Sequence, residues 1–174
     1  MITRRKLLAA TAVALGSAVS SRWYWGNRWN YIVVHHSAGT FGNIPFLQHV
    51  HRQRQSGDPV DAIPYHYIIG NGNGLPLGEI ASDWRQQHNI WGMHVSASNP
   101  DRNWRGIGIC LIGNFEQYPV PPEQYQSLLA LTKTLMSQYG IPPERVNGHG
   151  HIHGESTLCP GRHFPMQRFL NEIA

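Results

Sequence analysis

Three histidines and a cysteine lie close together near the end of the chain, in the stretch of residues 148–161. They are His149, His151, His153 and Cys159. Imidazole nitrogens and a thiolate are ligands that zinc prefers, and three protein ligands with one open position are typical of a catalytic zinc site. The glycines and the proline of this stretch predict a loop. A solvated surface loop rich in histidine is the alternative interpretation.

His35 offers a ligand from a distant part of the sequence. Residues 31–36 are β-branched or aromatic before they end in His35 and His36, and this pattern predicts a buried strand. Successive side chains of a strand point to opposite faces, so the two histidines do not easily serve one site. One strand histidine together with the loop residues would complete a three-ligand metal centre.

Length and composition limit the classes of protein to which the chain can belong. Its 174 residues suit one domain with a single core, and its 41% apolar and 14% charged residues exclude a disordered chain. The formal net charge is +4, but Arg4, Arg5 and Lys6 supply three of the 14 basic residues. Without these three, 11 basic residues face 10 acidic ones, so we expect no nucleic-acid partner.

Residues 1–20 have the pattern of an export signal. A basic opening precedes the mildly apolar residues 7–19, which are too few for a typical membrane-spanning helix of about 20 residues. The pair Arg4 and Arg5 resembles a twin-arginine signal, and a plain secretory signal or an uncleaved anchor is the alternative. We therefore expect a periplasmic or secreted protein that meets the membrane only through this segment.

Strand and helix patterns predict how the chain is organised. The predicted strands cover residues 31–36, 65–70, 75–80 and 106–113, with a hairpin turn at residues 71–74. The predicted helices cover residues 44–56, 121–139 and 164–173. Residues 21–30 form a lead-in segment, residues 81–103 form a long loop with one helical turn, and His51 lies on a solvent-facing helix surface. These elements predict a single α/β domain in which helices flank a central mixed β-sheet.

Six ordered motifs lie at residues 32–38, 65–69, 92–94, 106–115, 146–149 and 157–161. They resemble those of the type 2 N-acetylmuramoyl-L-alanine amidases, a family of zinc amidases that includes peptidoglycan recognition proteins and phage-type lysozymes. The resemblance runs from about Tyr31 to Phe169, and its strength lies in the order of all the motifs. It implies a peptidoglycan recognition protein-like fold and a zinc amidase domain over residues 31–174.

The resemblance also implies a metal, its ligands and a substrate. Position by position, His35, His149 and Cys159 match the family's Zn²⁺ ligands. Some members have a shorter loop, and that form would select His151 in place of His149. The implied substrate is peptidoglycan or a soluble muropeptide. The bond to be cut is the amide between N-acetylmuramic acid and the L-alanine of the stem peptide.

Further residues receive roles from the same resemblance. Tyr65 matches a catalytic tyrosine that donates to the developing oxyanion. Thr157 stands at a position from which a hydroxyl orients water or substrate. His66, His94 and His151 are the expected substrate contacts, and for His66 and His94 packing in the core is the alternative.

Two other functions and one other bonding pattern are open. Family members without the cysteine ligand bind peptidoglycan and do not cut it, but Cys159 and Tyr65 are both present here. A periplasmic metal-binding protein could use the histidine-rich loop, with no role for Tyr65. A disulfide between Cys110 and Cys159 would remove the thiolate ligand. We expect a monomer.

Overall fold

The computed structural model describes residues 28–174, so the export signal predicted for residues 1–20 and most of the lead-in segment lie outside the described residues. Within them, five strands form one sheet. The strands are β1 (Tyr31–His36), β2 (Tyr67–Ile69), β3 (Ile80–Ser82), β4 (Gly106–Leu111) and β5 (Val146–Gly148). Their order is β3-β2-β4-β1-β5. The β2–β3 pair is antiparallel and the other neighbouring pairs are parallel, which confirms the predicted mixed sheet.

Five α-helices accompany the sheet in this part of the chain. They are α1 (Ile44–Arg54), α2 (Trp84–Gln87), α3 (Pro100–Arg105), α4 (Pro122–Tyr139) and α5 (Met166–Ile173). The Asn43 side chain caps α1 by accepting a hydrogen bond from the Phe46 amide. Gly140 ends α4 in the left-handed conformation, with a φ of 64°. None of the helices formed by residues 28–174 has an apolar run that could reach across a bilayer.

The two faces of the sheet carry different layers. On one face, apolar residues of β4 pack with α4 and α5 through Ile107, Ile109, Leu111, Leu128 and Phe169. On the other face, Cys110 lies in a smaller cluster with Leu47 of α1. His35 stands opposite Cys110 in the parallel register of β1 and β4. Because side chains of paired residues share a face, His35 points to the side of the sheet on which α1 lies.

Three predicted strands have wrong bounds, and one of them, β4, ends at Leu111 and not at residue 113. β2 begins at Tyr67, so Tyr65 and His66 precede the strand and do not form its first residues. β3 begins at Ile80, where the predicted third strand ended. Pro76, inside that predicted strand, has no amide hydrogen with which to join a ladder, so the connection between the two strands is longer than a tight hairpin.

Three further expectations differ from the structure. β5 was not predicted, because three residues carry too little pattern to reveal a strand. Residues 81–103, predicted as a loop, contain the end of β3, all of α2 and the start of α3. His51, predicted on a solvent-facing surface, is only 6% exposed. Its burial has a specific cause, which is a buried carboxylate beside it.

A buried ionic cluster holds the segment that leads to Tyr65. Arg85 of α2 is 0% exposed, and its guanidinium donates to the Asp58 carboxylate and to the Ile63 carbonyl. The same carboxylate accepts a hydrogen bond from His51 Nε2 at 2.7 Å. These contacts link α1 and α2 to residues 58–63, the part of the chain that comes just before Tyr65.

We predict that Asp58→Ala lowers the free energy of unfolding by about 3–5 kcal/mol, because Arg85 is left as an unpaired buried charge. The matched control is Asp61→Ala, which removes an exposed ion pair with Arg52 and should change stability little. Urea unfolding of both variants measures the difference. Small and equal losses in the two variants would contradict a stabilising role for the buried cluster.

Candidate metal centre

Three side chains from separate parts of the chain meet at one edge of the sheet. His35 lies near the end of β1, His149 follows β5, and Cys159 lies in the loop before α5. β1 and β5 run parallel with Val34 opposite Gly148, so the histidines that follow these two residues emerge side by side. The donor atoms of the two histidines and the cysteine all lie within 4.8 Å of one another.

The donor set fits a zinc ion. His35 Nδ1 is 3.8 Å from Cys159 Sγ, and the imidazole centroids of His35 and His149 are 4.7 Å apart. Two imidazoles and one thiol are a ligand set that zinc accepts, with a fourth position left for water or substrate. His151 and His153 are exposed and stand outside this group. The structure therefore brings His149, and not His151, to the two other ligand candidates.

A chain of hydrogen bonds sets the orientation of the His35 imidazole. His94 Nε2 donates to the Gly106 carbonyl at 3.3 Å, because a carbonyl oxygen can only accept. In neutral His94 the Nδ1 atom is then an acceptor, and it lies 3.1 Å from His35 Nε2. His35 therefore donates through Nε2 and keeps the lone pair of Nδ1 directed towards Cys159.

Burial sets the protonation of these groups. Burial lowers the pKa of His35 well below its usual value, and the neighbouring His94 and His149 lower it further. Burial also lowers the pKa of His94 to about 3, so both imidazoles are neutral at pH 7. The thiol of Cys159 responds in the opposite direction: burial raises its pKa to about 12, although the hydrogen bond from the His36 amide opposes the rise.

Backbone contacts hold Cys159 against β1. The His36 amide donates to Cys159 Sγ at 3.3 Å, and the Cys159 amide donates to Thr157 Oγ1 at 3.2 Å. The Gly150 amide donates to the Cys159 carbonyl, and a Cβ atom at Gly150 would collide with the Thr157 carbonyl. Cys110 and Cys159 are both free thiols, so the hypothesis of a disulfide between them is wrong.

A cleft of about 420 Å³ opens above these residues, and Tyr65 and Thr157 line it together with the three ligand candidates. The ring centroid of Tyr65 is 5.1 Å from that of His35. Burial raises the pKa of Tyr65 well above its usual value, and Cys110 and Cys159 raise it further. The Tyr65 hydroxyl therefore keeps its proton at neutral pH, and it lies within hydrogen-bonding reach of the buried Cys110 thiol.

α1 and the segment before it form the opposite wall of the cleft. Phe41 and Phe46 pack edge to face there, with ring centroids 5.1 Å apart. Arg54 brings a permanent positive charge at the end of α1. Among the described residues that line the cleft, none is acidic. The cleft thus combines an apolar wall with the positive charge of Arg54, which no acidic side chain of the described lining neutralises.

The three predicted substrate contacts lie in different environments. His66 is in the core, 1% exposed, and both of its ring nitrogens bond to backbone atoms. His94 lines the cleft, but it is 5% exposed and is engaged with His35. His151 is exposed and lines a neighbouring groove. The core alternative for His66 is thus the one that the structure favours, and His66 does not reach the cleft.

Glu155 is a site residue that the sequence patterns did not indicate. Its side chain is 3% exposed, and Oε2 lies 3.0 Å from His149 Nε2. Ser96 and Asn99, which stand 59 and 56 residues earlier in the chain, also donate to it. A glutamate six residues after a candidate ligand is the one sequence signal that points to it, and that signal does not reveal the distant donors.

Three comparisons relate the chain to known proteins. A family model described as N-acetylmuramoyl-L-alanine amidase matches residues 25–162. Peptidoglycan-recognition protein SC2 of Drosophila melanogaster is 27% identical over 176 residues, which cover 89% of this chain and 86% of that protein. The N-acetylmuramoyl-L-alanine amidase AmiD of Escherichia coli is 27% identical over 152 residues, which cover 81% of this chain and 52% of AmiD. Among solved structures, the endolysin N-acetylmuramoyl-L-alanine amidase LysCS from Clostridium intestinale has a TM-score of 0.70 at 28% identity and covers 86% of both chains.

We predict that zinc binding at pH 7 releases about one proton more from the wild-type protein than from Cys159→Ser. The Cys159 thiol, with a pKa of about 12, must lose its proton to bind a metal, whereas His35 is already neutral. Near neutrality the affinity for zinc therefore rises with pH. Titration calorimetry in buffers of different ionisation enthalpy counts the protons.

The matched control is Cys110→Ala, which removes the other free thiol and should leave the proton release unchanged. Equal proton release from the wild type and from Cys159→Ser would contradict a thiolate ligand at this position.

Proposed function

The chain belongs to the N-acetylmuramoyl-L-alanine amidase family, and from this we propose that it is a zinc-dependent peptidoglycan hydrolase. The proposed reaction is hydrolysis of the amide bond between the lactyl group of N-acetylmuramic acid and the L-alanine of the stem peptide. The observation that carries the proposal is the group of His35, His149 and Cys159, whose donor atoms lie within 4.8 Å of one another beside a cleft. The similarity to the endolysin amidase LysCS supports it.

A zinc ion held by these three residues would lower the pKa of a bound water towards ~7 and polarise the scissile carbonyl. The rest of the site prepares the ligands for that ion. The hydrogen bond to His94 leaves the Nδ1 lone pair of His35 free, and the His36 amide points at the Cys159 sulfur, where it can stabilise a thiolate. These bonds also limit rotation of the ligand side chains.

Tyr65 is the proposed donor to the oxyanion that develops on the substrate carbonyl. Its hydroxyl keeps its proton because burial raises its pKa, and its ring stands beside His35 on the cleft wall. A fixed donor of this kind stabilises the transition state more than the ground state, because the oxygen becomes charged only as the bond to the nucleophile forms.

Thr157 and Arg54 are the proposed contacts to substrate. Thr157 Oγ1 accepts from the Cys159 amide, so its own proton is available to a water molecule or a substrate oxygen. Arg54 supplies the positive charge of a cleft that has no acidic lining among the described residues. Such a cleft favours an anionic ligand, and stem peptides carry free carboxylates.

The site of action and the oligomeric state are part of the same proposal. Peptidoglycan lies outside the cytoplasmic membrane, and the export-signal pattern of residues 1–20 supports action there, in the periplasm or after secretion. One chain supplies all three ligand candidates together with Tyr65 and Thr157, which supports a functional monomer.

The zinc-loaded protein is expected to release free stem peptides from purified sacculi and from defined muropeptides. Mass analysis of the products should show an intact glycan part and a peptide with a free L-alanine amino group. Chelation, His149→Ala and Cys159→Ser should each reduce this release to background, because each removes the metal or one of its ligands.

His153→Ala is the matched control for the loop, since His153 is exposed and stands outside the ligand group. It should retain the activity of the wild type. Undiminished release by His149→Ala and Cys159→Ser would overturn the amidase proposal, and binding of muropeptide without any cleavage by the zinc-loaded wild type would indicate a binding module instead.

Tyr65→Phe tests the proposed oxyanion donor. We expect kcat to fall roughly 10²–10³-fold, equivalent to about 2.7–4 kcal/mol, with zinc content unchanged. Tyr118→Phe is the control, because Tyr118 is 59% exposed and does not line the cleft. Steady-state kinetics on a defined muropeptide measures both variants, and a kcat of Tyr65→Phe equal to that of Tyr118→Phe would refute the assignment.

A further inference from the structure

Glu155 contacts His149, one of the two histidines of the ligand group. The other histidine, His35, bonds through its Nε2 atom to His94, whereas the Nε2 atom of His149 meets Glu155. Its Oε2 atom lies 3.0 Å from His149 Nε2, and a carboxylate oxygen can only accept, so His149 donates through Nε2. In the neutral imidazole this leaves Nδ1 as the nitrogen with a free lone pair. The same nitrogen, Nδ1, of His35 is the one that faces Cys159 Sγ.

The other oxygen of the Glu155 carboxylate is held by donors from a distant segment. Oε1 accepts from Ser96 Oγ at 2.7 Å and from Asn99 Nδ2 at 2.7 Å. The Ser96 amide lies 3.2 Å from Oε1 and 3.3 Å from Oε2. These donors satisfy a carboxylate that is only 3% exposed. They also orient it so that Oε2 is directed to His149.

We propose that Glu155 is a positioning residue that selects the Nε2–H tautomer of His149 and so presents Nδ1 to the metal. The inference rests on the metal centre of the proposed function, and it concerns which atom of His149 is the ligand. A carboxylate hydrogen-bonded to the far nitrogen also makes a ligand imidazole more basic and restricts its rotation. Ser96 and Asn99 act through Glu155, not on the histidine.

Glu155→Gln separates this role from a simple link between two loops. The amide has nearly the same shape as the carboxylate but only one acceptor oxygen. Three donor groups of Ser96 and Asn99 face Oε1, so the amide oxygen is expected to stay there and the NH₂ group to face His149. That NH₂ group donates, so it favours the His149 tautomer in which Nε2 is unprotonated and Nδ1 carries the proton. A proton on Nδ1 occupies the lone pair with which His149 would bind the metal.

Long-range proton–nitrogen NMR spectra of the histidine rings read the tautomer directly. In the metal-free wild type we expect His149 to carry its proton on Nε2, and this proton should remain when zinc is added. In Glu155→Gln we expect the Nδ1–H tautomer in the metal-free protein. Competition with a zinc chelator should show an affinity reduced about 10–100-fold.

Ser96→Ala is the matched control, because it removes one donor to Oε1 and leaves the bond between Oε2 and His149 in place. It should keep the wild-type tautomer and a zinc affinity close to that of the wild type, because the Ser96 amide and Asn99 Nδ2 still donate to Oε1 and keep the carboxylate in place. An equal loss of affinity in Ser96→Ala and Glu155→Gln, with the Nε2–H tautomer kept in both, would show that Glu155 only links the loops.

The wild-type spectra test the proposal without any variant. An Nδ1 proton on His149 in the metal-free protein, or loss of the Nε2 proton when zinc binds, would overturn it. These readouts do not depend on hydrolysis, so a protein that binds zinc as described but releases no stem peptide would refute the amidase proposal and leave this inference standing.

Discussion

The site depends on the register in which β1 pairs with β5. Val34 stands opposite Gly148, and in each strand the next residue is a histidine. Two ligand candidates that are more than 100 positions apart in the sequence therefore emerge side by side at one edge of the sheet. A shift of this register by one residue would turn one of the two side chains to the opposite face and separate the pair. Cys159 completes the group because the His36 amide holds its sulfur against the same strand.

The two ligand histidines are prepared by different chemistry. His35 is fully buried, and its far nitrogen donates to His94, which in turn donates to the Gly106 carbonyl. Burial keeps this arrangement neutral. His149 is more accessible, and its far nitrogen faces the carboxylate of Glu155. Neutral groups thus hold the buried His35. His149, which is nearer to solvent, is held by the charged carboxylate of Glu155, and Ser96 and Asn99 supply the other hydrogen bonds of that carboxylate.

The position of Tyr65 follows from contacts outside the cleft. Tyr65 precedes β2, and backbone hydrogen bonds hold both of its neighbours: the His66 amide donates to the Gly108 carbonyl of β4, and the Pro64 carbonyl accepts from the Met93 amide. The buried pair of Asp58 and Arg85, with His51, holds the preceding segment between α1 and α2. A tyrosine at the end of such a fixed segment can face the metal group while its hydroxyl keeps its proton. The stability of the fold and the geometry of the cleft are therefore linked through the same residues.

The sequence by itself was sufficient for the elements with a strong local pattern and for the choice of ligand candidates. The apolar runs of β1 and β4 and the helical spacing of α4 reflect burial on defined faces, which any single element must show. The chemistry of histidine and cysteine, together with the resemblance of the ordered motifs, pointed to His35, Cys159 and either His149 or His151, and the fold decided for His149. The short strand β5 was not predicted, and β3 lies later in the chain than predicted. The reason is that a strand of three residues is stabilised by its partner strand and carries little pattern of its own.

Only the tertiary structure could distinguish histidines that look alike in the sequence. His66 lies in the core and His94 supports His35, and the choice depends on which backbone atoms and rings surround each imidazole. His51 is buried because Asp58 lies beside it, and Glu155 belongs to the site because Ser96 and Asn99 reach it from a distant segment. A local pattern records the face on which a residue is buried. The partner that its polar atoms meet there is set by chain segments far away in sequence, and that information exists only in the folded protein.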